Sequence, residues 1–166
     1  MEHIIEELIT IISSEIDAFN DLLKTLHEKQ RAIVEGEISR LNKHVQTETR
    51  LANQTRSLEA ERIERSKELA GELRIESLNP KLSEIIEKVE EKYAQRLSEQ
   101  RDLLRSLVQK VRNLNESNQF LLTYSLKFIE KNMEMLFGES PSPNIYKKDG
   151  KLQKEAAKSK IFDHSV

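Results

Sequence analysis

Asn115 and Asn118 stand three residues apart and are followed at once by Leu121 and Leu122. On a helix that spacing puts both amides on one face, in line with apolar neighbours. An Asn side chain both donates and accepts, so a pair beside two leucines can hydrogen-bond a bound backbone without demanding a particular sequence. A seam asparagine can instead fix the register between helices. Both are recognition or packing chemistry. The residue types that catalyse are poorly placed. His3, His27, His44 and His164 never pair at the i, i+3 or i, i+4 spacing of a helix-borne metal site. The chain has no Cys, which removes thiol catalysis, thiolate metal sites and disulfides. Its four Gly lie apart, so no phosphate-cradling loop is readable. Runs such as Glu59-Ala60-Glu61-Arg62 read as surface ion pairs worth tenths of a kcal/mol. The sequence therefore implies no enzyme, no metal and no cofactor.

Composition agrees. The 166 residues suit one domain, and 34% charged against 5% aromatic residues favours long solvated helices with narrow apolar seams. The formal charge of -2 exerts no overall pull toward nucleic acid or anionic lipid. Lysines do crowd the end of the chain (Lys147, Lys148, Lys151, Lys154, Lys158, Lys160), but only Tyr146 and Phe162 accompany them, so no base-stacking platform is evident. No stretch approaches the roughly 18 apolar residues of a membrane span, and Met1–Glu7 lacks the pattern of a secretory signal. No membrane insertion and a cytoplasmic location are the expectation.

Stepping along the chain, Ile5, Leu8, Ile12, Ile16, Phe19, Leu23, Leu26 and Ile33 recur at threes and fours, which predicts a helix over about 4–34. Gly36 suits a tight reversal. A second helix over about 37–70 has a thinner seam, with Glu48, Thr55 and Arg62 at or near seam positions. Asn79-Pro80 reads as the start of a third helix over about 80–137, either straight, bent near Asn113–Ser117 or folded back. The expected fold is all-α: an elongated, antiparallel, coiled-coil-like bundle of three long helices forming a domain over 1–138. Pro141 and Pro143 stop the helix, and 139–166 is expected to be a mobile Lys-rich tail. A third helix of roughly 85 Å outruns partners of roughly 45–50 Å. Its far portion is the most apolar, and periodicity picks out Phe128, Met133 and Leu136 there. That portion should fold back, pair with a second copy in a homo-oligomer, or hold a client segment.

The run Asn113-Leu114-Asn115-x-x-Asn118-x-x-Leu121-Leu122, extended by Ser125, Leu126 and Ile129, resembles the FlgN family of flagellar export chaperones. Lys29-Gln30-Arg31-Ala32 with Gly36-Glu37 and Leu41, the Glu59-x-x-Arg62 pair, and Tyr146-x-x-x-Gly150 are similar to family elements in the same order. The resemblance implies a cytoplasmic chaperone that grips a disordered terminal segment of flagellar hook-associated proteins and delivers it to the type III export gate. It implies client contact at Asn115, Asn118, Leu121, Leu122, Ser125, Leu126 and Ile129, and gate docking through Tyr146. A coiled-coil spacer or homo-oligomeric scaffold is the alternative that the residues themselves leave open.

Overall fold

A computed structural model describes residues 1–138. These form α1 (Glu2–Glu35), α2 (Ile38–Glu72), α3 (Leu82–Ile86) and α4 (Glu91–Phe137), with no strand among the described residues. The fold is all-α, with long helices packed against one another as the seam spacing predicts. The described chain divides into two units, one over Met1–Tyr124 and a second that begins at Ser125.

In the first unit, α1 is the spine. Its stripe of Ile4, Ile5, Leu8, Ile9, Ile12 and Ile16 packs with Leu69 of α2, Ile85 of α3, and Tyr93, Leu97 and Leu107 of α4. Further along, Leu22 and Leu26 pack with Leu51, against which Phe19, Val111 and Leu114 also lie. Gly36 reverses the chain in a left-handed conformation, φ 70°. Its N–H donates to the Ile33 carbonyl and that of Glu37 to Ala32, a Schellman closure of α1. α2 therefore runs antiparallel to α1. α4 returns parallel to α1, as the successive links Lys92–Glu2, Arg96–Glu6 and Gln100–Ser13 show.

Two local features differ from the sequence expectation. Helix α2 continues through Gly71 and closes with a second Schellman pattern, in which Arg74 N–H donates to Gly71 and Ile75 N–H to Ala70. The left-handed residue is Arg74, φ 53°, rather than a glycine. The helix expected from residue 80 is interrupted between α3 and α4. The reason is packing joined to charge. Leu82, Ile86 and Val89 lean on the core that Ile85 enters. Continuous helix would also stack Glu87 over Glu90 and Glu91, a like-charge arrangement. Breaking there leaves Glu91 in the first turn of α4, where the helix dipole favours an acid. At the start of α3 the Glu84 carboxylate accepts from the Lys81 backbone N–H at 3.0 Å, so Lys81 and not Asn79 takes the cap position.

Candidate functional site

The residues singled out from the sequence fall on α4, but with different surroundings. Within the first unit, α4 presents Leu97, Leu104, Val111 and Asn118 at sevenfold spacing, the seam of a coiled coil. Asn118 occupies it fully, at 0% exposure. Its Nδ2 donates to the Leu26 carbonyl of α1 at 2.9 Å, and its Oδ1 meets no protein donor. Asn115, three residues back, is exposed. The two amides are thus not brought to one open surface: one clamps a neighbouring helix and the other faces water. Leu121 and Leu122 are half-buried. Phe120 and Tyr124 are exposed and stack on each other, with centroids 6.4 Å apart.

In the second unit Ser125 is half-buried. Leu126, Phe128, Ile129, Met133 and Leu136 are all exposed, Phe128 at 62% and Ile129 at 54%, and Met135 and Phe137 join them at 80% each. Fully burying a side chain of this kind is worth about 1.5–3 kcal/mol, so several in water constitute a strong drive toward association. Tyr146 and the Lys-rich segment lie outside the described residues.

Of the polar seam positions on α2, Arg62 and Glu48 pair with α1, whereas Thr55 donates back to the Ala52 carbonyl of its own helix. Arg62 Nε donates to Glu15 at 2.8 Å, and the Glu15 side chain is 2% exposed. Burial lifts the Glu15 carboxyl above the usual carboxylate range, and the Arg62 charge draws it part of the way back. Lys29 Nζ lies 2.6 Å from Glu48 and is itself nearly buried. Gln100 Nε2 donates to Ser13 Oγ at 2.7 Å and reaches the Ile9 carbonyl at 3.2 Å. Sequence reading passed over Gln100 and Glu15. Gln100 sits one heptad before Leu107, and Glu15 one heptad after Leu8 and one before Leu22, so the spacing marks both as seam positions; it does not name the partner of Glu15, which lies 47 residues away. Among the described residues no cluster of His, Cys, Asp or Glu could hold a metal, and no helix is long and apolar enough to cross a membrane.

Fold and site together define a class: an all-α protein that uses its buried amides and ion pairs for helix register and leaves large apolar side chains of one helix open. The family model described as FlgN protein matches residues 1–154, and the chain belongs to the FlgN family. Membership implies, in general terms, the role of a flagellar export chaperone. No curated protein and no solved structure matches the chain.

Proposed function

We propose that this chain is a cytoplasmic type III export chaperone that binds the disordered terminal segment of flagellar hook-associated proteins, prevents their premature assembly and hands them to the export gate. The observation that carries the reading is the exposure of Leu126, Phe128, Ile129, Met133 and Leu136. A disordered amphipathic segment gains a partner by folding its apolar side onto such a helix. The ordering cost lowers net affinity, which suits cargo that must be released. Leu121, Leu122 and Ser125, half-buried, serve as contact residues at the edge, and exposed Asn115 offers a donor and an acceptor to the client backbone. Asn118 acts as a positioning residue that holds α4 on α1. Tyr146 contacts the export gate.

Titration calorimetry with synthetic terminal segments of hook-associated proteins tests the reading. One-to-one binding is expected, and Leu126→Asp with Ile129→Asp should weaken it at least ~100-fold, two lost apolar burials of about 1.5–3 kcal/mol each, with helicity retained. Tyr146→Ala should leave client affinity unchanged and reduce secretion of the client. Sedimentation addresses the alternative: a scaffold would self-associate whether or not client segments are added, and would bind none of them.

A further inference from the structure

We propose that the groove between α2 and α4 is a docking site for an acidic, leucine-bearing helical segment of a partner protein. It uses none of the residues assigned above to client or gate. The groove is open, about 340 Å³, and is walled by Arg62 from α2 and by Arg101, Arg105 and Arg112 from α4. Leu104 and Val108 form its half-buried apolar floor, and no carboxylate lines it. Arg62 is engaged with Glu15 and Arg101 with Asp102. Arg105 and Arg112 are exposed and make no ion pair among the described residues. The face is electropositive enough to act on its neighbour: the Asp102 carboxyl is held below the usual carboxylate range by the Arg101 hydrogen bond, with the Arg105 charge adding to it.

The occupant follows from complementarity. Arg105 and Arg112 lie seven residues apart, two helical turns or roughly 10 Å. A helical segment with carboxylates at the same spacing sets one opposite each guanidinium, where paired charge-assisted hydrogen bonds form. Leucines between those carboxylates then rest on Leu104 and Val108. The apolar floor disfavours a bare phosphate chain, and no aromatic side chain lines the groove to stack a base. The chain's own last residues, with six lysines against Glu139, Asp149, Glu155 and Asp163, have the wrong charge for it.

Fluorescence anisotropy on the full chain tests this, using a labelled helical peptide with two glutamates seven residues apart flanking leucines, and its lysine counterpart. The glutamate peptide should bind at least ~10-fold tighter than the lysine peptide. Arg105→Glu with Arg112→Glu should reverse that preference without moving the unfolding temperature, because both side chains are exposed and unpaired. Arg105→Gln with Arg112→Gln should bind neither peptide well. The Leu126→Asp, Ile129→Asp variant should bind the glutamate peptide as the unaltered chain does. Equal affinity for both peptides, or a preference untouched by the arginine changes, overturns the proposal. So does tighter binding of an oligothymidine or of phosphatidylglycerol vesicles that the same arginine changes abolish.

Discussion

Arg62 and Glu15 show how a single position can be legible in type and illegible in role. Arg62 stands at a seam position of a thin helix, yet nothing in its neighbourhood names Glu15 as its partner. The structure makes the pair a buried one, with Glu15 almost wholly covered. Removing one member of such a pair leaves an uncompensated charge, at a cost of about 3–5 kcal/mol, whereas replacing both with apolar groups of similar size is nearly neutral. Arg62→Met is therefore expected to destabilise the chain by that amount at neutral pH, and Glu15→Leu with Arg62→Met to recover most of it. The sign of the pH dependence follows from the raised Glu15 value. A carboxyl that holds its proton more tightly when folded contributes stability that is fully present below its ordinary value near 4.5 and is lost as pH rises through the folded value. Without Arg62 the folded value climbs further, so the Arg62→Met chain should regain stability as pH falls from neutral toward 5. Urea unfolding across that interval checks it, and a flat profile would place Glu15 in water. Asn118 teaches the same lesson. Its seam position was readable, but whether it grips a client or a neighbour depended on the Leu26 carbonyl, 92 residues away.

At the scale of elements, helices were read well because the apolar spacing repeats through each of them and Gly36 punctuates the first reversal. The interruption between α3 and α4 was hidden because Leu82, Ile86, Val89 and Tyr93 keep helical spacing straight across it, and spacing alone does not report that Glu87 to Glu90 leave the helix. The second reversal was hidden because it sets an arginine, Arg74, where the pattern calls for glycine. Those two closures yield opposite expectations. A Cβ at Gly36 would touch nothing within 4 Å, so Gly36→Ala meets only backbone strain at φ 70°. That strain costs roughly 1–2 kcal/mol in the left-handed region. Arg74 already bears it and is exposed. Arg74→Gly relieves the strain and gives back about 0.5–1 kcal/mol to the greater freedom of unfolded glycine, so a gain of up to ~1 kcal/mol is expected. Thermal unfolding of the two variants should shift in opposite directions. A loss of stability in Arg74→Gly would mean that the arginine side chain contributes a contact absent from the hydrogen-bond pattern of the turn.

For the whole molecule, core and open apolar surface are segregated along the sequence. Every member of both apolar clusters lies between Ile4 and Leu114, and Asn118 is the last residue that is fully buried among those described. Beyond Tyr124 the large apolar side chains of α4 are exposed. Stability and client capture should then be separable by a cut. A chain ending at Tyr124 loses Leu126, Phe128, Ile129, Met133 and Leu136 but none of the core, and it retains the Gln100 and Asn118 clamps onto α1. Its unfolding temperature is expected to stay within about 5 °C of the full chain, since a shift of that size corresponds to roughly 1–2 kcal/mol in a domain of this length. Its affinity for terminal segments of hook-associated proteins should fall at least ~100-fold, the loss of two or more buried apolar anchors. It should also be the more soluble of the two, because the exposed apolar residues are the ones removed. Scanning calorimetry and peptide titration on the two chains decide the matter together. If the shortened chain melts far lower, the last part of α4 supports the fold; if it binds the segments as tightly as the full chain, the client sits elsewhere on the helices, and the open residues after Tyr124 have another partner.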